Sequence, residues 1–460
     1  MQGEATITTH LSGYNAHGRP DPETKQVSSS HTIVVGAGIV GVSAAYYLAK
    51  RGHRVTLIDK GDLASGVSFG SAGIIAIGHP PLPRPGLVKQ VLKWMLDGGS
   101  PLYVPPRFDL AMARWFWEFR RACTEAHFQY SMDMLARLGR EAKVCFEQIM
   151  SDEAMSSVYH RDGWLEIFRT EEGLAEGLRH AELLERYEFD VEILDGNELH
   201  RRQPAFKDGV VGAVMFSDSS FMDPHQFLIA LAKRAEAHGA VIRTNAEMME
   251  VLVREGRFVG VRLLSGQRLE ADTLVLATGI WTTALARKIG FMVPMQAGKG
   301  YHRNITLPKP CLTIASVLAE THVAVTPLPD MLRLSGTVEF SGINHHMVQK
   351  RLDMLTAAAR HYLQGIGETQ TVSEWCGLRP CTADGLPVVG WAPRLAGVFV
   401  ATGHARLGFT LGPVTGKLVS ECILDGEPSI DITPMRVDRF GSRRRWGPTA
   451  PRVPAPSAAG

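Results

Sequence analysis

The sequence predicts an α/β fold, a discontinuous Rossmann-like nucleotide-binding domain joined to a mixed-sheet α+β domain. Three observations predict it. A strand–helix–strand unit opens the ordered chain after residue 30. A glycine-rich turn lies inside that unit. Short strand-like runs return over 206–289 and after 371, with a mixed stretch over 290–370 between them.

Each element has a local reason. His31-Thr32-Ile33-Val34-Val35 is the apolar, β-branched run of a buried parallel strand. Val42 to Arg51 has helical spacing and Gly52 closes it. Arg54 to Ile58 is a second strand, which completes a βαβ unit. Leu87 to Met155 reads as helical and aromatic, with Trp94, Trp115, Phe116, Trp117 and Phe119. Residues 158–168 and 188–195 read as extended. Pro224 to His238 is a helix with Asp223 as N-cap, Pro224 at its first position and Gly239 as its stop. Strands are expected at 240–243, 248–254, 257–264 and 273–277, a helix near 345–365, strands at 387–389 and 398–401, and a helix from about Gly412 to Leu424. The expected organisation is a disordered leader (1–30), nucleotide-domain pieces at 31–155 (with a helical insertion), 206–289 and 371–440, second-domain pieces at 156–205 and 290–370, and a disordered basic tail (441–460).

Composition narrows the function classes. A chain of 460 residues, 45% hydrophobic and 21% charged, buries a large core and is ordinary for a globular protein. Its 49 basic and 47 acidic side chains leave +2, which excludes a nucleic-acid surface. The tail adds Arg443, Arg444, Arg445 and Arg452 without an acid. No run reaches the 18 or so uncharged apolar residues of a membrane span. The first 30 residues are polar without an apolar core, so a leader is expected rather than a signal peptide. Cysteines 123, 145, 311, 376, 381 and 422 form no C-x-x-C pair to hold zinc or an iron–sulfur cluster. Free thiols and a cytoplasmic setting follow.

Val35-Gly36-Ala37-Gly38-Ile39-Val40-Gly41 carries the G-x-G-x-x-G turn between strand and helix, where its mechanism requires it. The first glycine makes the turn, the second admits a pyrophosphate and the third lets helix and strand pack closely. Asp59 follows Gly41 by 18 residues, at the end of the second strand, where a carboxylate takes a ribose hydroxyl; Lys60 is next. An adenine dinucleotide is expected here.

Four later segments go further: Ser65 to Ile74, Asp272 to Gly279, Trp375 to Pro387 and Gly403 to Thr410. With these motifs the chain resembles the D-amino-acid oxidase superfamily of FAD-dependent oxidoreductases over roughly residues 31–440, in particular its D-amino acid dehydrogenase and glycine oxidase branches. The resemblance implies FAD. It places Gly70, Ser71, Ala72 and Gly73 under the flavin ring and brings Thr278 and Gly279 back to the dinucleotide. It sets Val251 against adenine, and Gly403, Gly408, Phe409 and Thr410 at the flavin pyrimidine edge. Backbone amides and a helix N-terminus there stabilise a reduced, anionic flavin.

Trp375-Cys376-Gly377-Leu378-Arg379-Pro380-Cys381-Thr382-Ala383-Asp384-Gly385-Leu386-Pro387 follows the family's G-L-R-P-x-T-x-D-G-x-P pattern. The resemblance makes Arg379 a substrate-carboxylate ligand and matches a second at Arg406. Arginine suits the task, because its planar fork holds a carboxylate bidentately. Tyr301 is a further pocket candidate. The D-amino acid dehydrogenases usually carry a small residue where Arg406 stands, so a D-amino acid, glycine-like or cyclic imino acid substrate all stay open. The implied reaction moves hydride from Cα to flavin and leaves an imino acid that water converts to the 2-oxo acid. No base is assigned; His404 reads as a hydrogen-bonded structural imidazole. The electron acceptor (quinone, partner flavoprotein or oxygen) stays open, as do peripheral contact with the inner face of the membrane through Phe108 to Arg121 and flavin attachment at Cys376. The alternatives are a flavin subunit of a heteromeric amine or hydroxyproline dehydrogenase and, last, a non-catalytic flavin-binding module.

Overall fold

The computed structural model describes residues 30–440 apart from 96–99, 101, 106–108 and 156–158. The expected leader (save residue 30) and the expected basic tail lie outside the described residues, as does Phe108.

Strand His31–Val35, buried along its whole length, lies parallel between Arg54–Ile58 and Thr273–Leu276. Val241–Arg243 extends the sheet beyond Arg54–Ile58, and Val398–Thr402 extends it beyond Thr273–Leu276. Val388–Trp391 closes the far edge antiparallel, giving six strands. Continuous apolar runs suit such strands because both faces are covered.

Helix Ile39–Lys50 packs on this sheet between helices Pro224–Ala237 and Gly408–Leu424. Asp223 caps Pro224–Ala237, accepting from the amides of His225 and Gln226 with Pro224 at the first position. The last helix begins at Gly408, four residues before its expected start. Pro413 marks a helix start in sequence but here lies inside the second turn. Gly412 and Gly416 explain the close crossing: a Cβ on either would overlap Ile39 or Ser43.

A second sheet runs in the order Thr371–Thr382, Met295–Ile305, Met331–Glu339, Val323–Leu328, Ser316–Leu318, Trp164–Phe168, Gly212–Phe216 and Val191–Asp195. Gly212–Phe216 and Thr371–Thr382 belong to it although their segments, 206–289 and 371–440, also supply Val241–Arg243, Thr273–Leu276, Val388–Trp391 and Val398–Thr402 to the first sheet. Helix Gln349–Tyr362 seals one face through Leu352, Leu355, Ala359 and Tyr362. The opposite face lines a cavity.

Candidate active site

The turn after His31–Val35 shows which glycines the protein itself needs. Gly36 adopts φ +109°, and a Cβ there would meet the Ala277 carbonyl. A Cβ at Gly41 would overlap the Gly36 carbonyl. Gly38 differs. Its φ of −78° suits any residue, and the nearest atom to a Cβ is the Ser68 hydroxyl at 3.3 Å. Neither backbone nor packing demands a glycine there, whereas a pyrophosphate approaching the helix N-terminus does. The residues present therefore fit a dinucleotide.

Neighbours brace the turn. Ser68 Oγ accepts from the Ile39 amide at 3.0 Å. The Asp59 carboxylate accepts from the amides of Ala37 at 2.6 Å and Gly61 at 2.8 Å, and its two oxygens keep capacity for a ribose hydroxyl. Lys60 sits 4.3 Å over the Trp281 ring. Thr278 Oγ1 pairs with Thr282 Oγ1 at 2.8 Å, and the Gly279 carbonyl accepts from Thr402 Oγ1 at 3.0 Å. Gly279 takes φ +54° with open space where its Cβ would stand. Val251 is not brought to this turn. It pairs with Val261 in a separate three-stranded sheet and packs on that sheet's core. Within that segment it is Ala246 that reaches the turn, its amide donating to the Asp59 carbonyl at 2.7 Å.

From Ser68 the chain runs along a cavity of about 810 Å³. Gly70, Ser71 and Ala72 line it, and so do Gly408, Phe409 and Thr410 from the start of the last helix. Two residues that motif reading passed over hold the first of these segments. Buried Arg333 donates to the carbonyls of Ser71 (2.8 Å) and Phe69 (3.3 Å) and to Asn304 Oδ1 (3.0 Å). His302 Nδ1 lies 3.3 Å from the Gly70 carbonyl, and its ring stacks on Trp375 at 5.2 Å. Burial, then the Arg333 charge, push His302 down to about 3, so the ring is neutral. Both stand among other polar residues of their strands and belong to no motif, so the sequence carries little signal for them. Gly73 takes φ +81° and accepts from the Met222 amide at 3.0 Å. Thr410 Oγ1 ties the two segments together by accepting from the Ala76 amide at 3.2 Å. Among the described residues no side chain caps the helix at Gly408, so its first-turn amides keep their positive end toward the cavity. Gly403, at φ +80°, turns the chain toward this helix; a Cβ there would meet Thr382. His404 is buried against Thr415 Oγ1 at 2.9 Å and burial lowers it to about 4, a structural imidazole.

The two arginines face the same cavity. The Arg379 guanidinium lies over Gly300, where any Cβ would overlap it, and its Nη1 donates to the Thr337 carbonyl at 3.1 Å. Arg406 Nη2 donates to the Pro80 carbonyl at 3.1 Å and lies 3.4 Å from His79 Nδ1. Neither has a carboxylate within ion-pair distance among the described residues. Water reaches Arg406 through the cavity, yet protein surrounds it: burial, with Arg84 and Arg379 adding repulsion, lowers it to about 10. Burial lowers Arg379 as well. Both stay charged at neutral pH, and an anion in the cavity would relieve both. Four residues that line the cavity each carry a buried polar atom without a partner in the protein: Trp164 Nε1, His180 Nε2, Ser335 Oγ and Thr337 Oγ1.

Strand alternation corrects one expectation and decides another. Gly300 faces the cavity, so Tyr301 faces away; it is buried under helix Gln349–Tyr362 and donates to Glu339 Oε2 at 2.6 Å. Tyr301 is therefore not a pocket residue. Trp375, Gly377, Arg379 and Cys381 line the cavity, which turns Cys376 to the far side with its Sγ 3.4 Å from the His345 carbonyl.

Comparison with known proteins agrees with this geometry. Residues 31–422 match the model of the DAO family, described as FAD dependent oxidoreductase. The chain is 31% identical to a D-amino acid dehydrogenase of Rhizobium johnstonii over 89% of this chain and 99% of that protein. It is 32% identical to one from Sinorhizobium medicae with the same coverage. Among solved structures, glycine oxidase from Bacillus cereus superposes with a TM-score of 0.70 at 20% identity, covering 86% of this chain and 96% of that one. L-proline dehydrogenase from P. horikoshii gives 0.70 at 18% identity, over 90% and 98%. These last two likenesses speak for the fold.

Proposed function

Because this chain belongs to the DAO family of FAD-dependent oxidoreductases, we propose that it oxidises the Cα–N bond of an amino or imino acid held by its carboxylate. The observation that carries the reading is that Arg379 and Arg406, both without a counter-ion among the described residues, share one cavity with Gly70 to Ala72 and Gly408 to Thr410. The relatives named D-amino acid dehydrogenase support a D-amino acid as substrate, with a glycine-like acid and a cyclic imino acid as the alternatives.

Gly36 to Gly41 and Asp59 would hold the dinucleotide; Gly70 to Gly73 and Gly408 to Thr410 would flank the ring. FAD, when bound, supplies the acceptor for the hydride that leaves Cα. The protein's part is binding and orientation. Arg379 and Arg406 hold the carboxylate and thereby fix where Cα lies. The uncapped helix N-terminus at Gly408 favours negative charge beside it. Phe340, Phe409 and Trp115 give part of the wall an apolar surface that disfavours water. No side chain is assigned as base, since a neutral amine needs none, and water then hydrolyses the imino acid.

Helix Leu110–Ala122 buries Met112, Trp115 and Phe119 toward the cavity and turns Leu110, Trp117 and Arg114 outward, the face through which peripheral membrane contact would run. No helix among the described residues is long and apolar enough to cross a membrane.

The test is a screen of D- and L-amino acids, glycine, sarcosine and proline on purified protein, with a dye, a quinone and oxygen as alternative acceptors. The reading expects a carboxylate-bearing amine to reduce the bound flavin. Reduction only by amines without a carboxylate would overturn it.

A further inference from the structure

We propose that Thr337 is a substrate-contacting residue, donating its hydroxyl to the carboxylate that Arg379 holds; this rests on the carboxylate reading above.

The register of the second sheet carries the argument. Lys299 pairs with Glu339 and Tyr301 with Gly336, so the single residue Gly300 opposes two, Thr337 and Val338. That is a β-bulge, which re-aims a side chain where regular pairing would not. Within it Thr337 takes φ +57°, a left-handed conformation that a β-branched residue adopts only at a cost. Glycine or asparagine would sit there with less strain.

The strained conformation has two consequences. It aims the Thr337 carbonyl at Arg379 Nη1, 3.1 Å away, and this is the one hydrogen bond from that guanidinium to protein among the described residues. It also leaves Thr337, a cavity-lining residue 6% exposed, with its Oγ1 buried and without a partner in the protein. A carbonyl holding the arginine needs no particular side chain. The unpartnered hydroxyl beside a cation without a counter-ion does: an anion between them would accept from both, and a hydroxyl donor to a carboxylate is a strong hydrogen bond.

Three variants test it: Thr337→Val keeps the shape and the strain without the hydroxyl, Thr337→Gly removes both, and Thr337→Ser keeps the hydroxyl. For the best amino acid substrate, KM should rise about tenfold in the Val and Gly variants and stay within about twofold in Ser. The decarboxylated amine should be oxidised equally by all four proteins, and flavin content should not change. Thr337→Gly should unfold at the same or a higher temperature, which separates lost contact from lost stability. If KM in both the Val and Gly variants stays within about twofold of native, Thr337 is only structural and the proposal fails. If the native enzyme itself does not prefer the amino acid to its decarboxylated amine, the Arg379 reading fails and takes this one with it. The two failures are thus distinguishable.

Discussion

The Arg379 guanidinium lies over the backbone of Gly300, in the space a methyl group would fill. The absent side chain on one strand thereby gives room to a charged side chain from the next. Gly300→Ala should displace the guanidinium without removing it. The expected result is a loss of roughly ten- to hundredfold in kcat/KM for the amino acid, with flavin content unchanged. Steady-state kinetics beside a flavin spectrum reads both.

Gly38 gives a cleaner test of the dinucleotide site than Gly36 or Gly41, which the fold needs for itself. A Cβ at Gly38 meets only the Ser68 hydroxyl, at 3.3 Å, and the backbone there is permissive, so Gly38→Val adds bulk chiefly where the pyrophosphate would approach. The variant should fold with an unchanged unfolding temperature as apoprotein and retain little FAD. Normal FAD occupancy in a folded Gly38→Val protein would move the pyrophosphate elsewhere.

Cys376 faces away from the cavity, so flavin should not be tethered to it. Denaturing the native protein should release FAD quantitatively, and Cys376→Ser should behave identically. Flavin that stays with the native chain but leaves the serine variant would contradict the placement.

Acid stability follows from buried histidines. His302 is lowered from its ordinary 6.5 to about 3 and His404 to about 4, both by burial first. The unfolded chain therefore takes up protons that the folded chain refuses. Stability contributed by the neutral rings is whole above pH 6.5 and is lost as pH falls from there toward 3. For His302 alone the loss at pH 4 is on the order of 3 kcal/mol. Thermal melts at pH 7 and pH 4 should show a smaller fall for His302→Phe than for the native protein.

Local chemistry made the first sheet legible. The βαβ run, the glycine turn and Asp59 act through near neighbours, and their roles are visible in a few residues of sequence. Asp223 and Pro224 marked a helix start for the same reason. Gly412 and Gly416 carried a different message, since those glycines serve contact with Ile39 and Ser43 of a helix far earlier in the chain. The second sheet was harder, because which face a residue takes depends on partner strands. Tyr301 and Gly300 are neighbours in sequence, and only pairing with Met331–Glu339 and Thr371–Thr382 decides that Gly300 meets the cavity. Arg333, His302 and Thr337 act across strands in the same way and belong to no motif.

The central claim is that Arg379 binds a substrate carboxylate. The most direct measurement compares an amino acid with its decarboxylated amine on native protein and on Arg379→Lys. Lysine keeps the charge and loses the fork. Native enzyme should strongly prefer the amino acid, and the replacement should slow that substrate roughly ten- to hundredfold in kcat/KM while leaving the amine almost unaffected. If the amine is the better substrate of the native enzyme, or the replacement slows both equally, Arg379 does not hold a carboxylate.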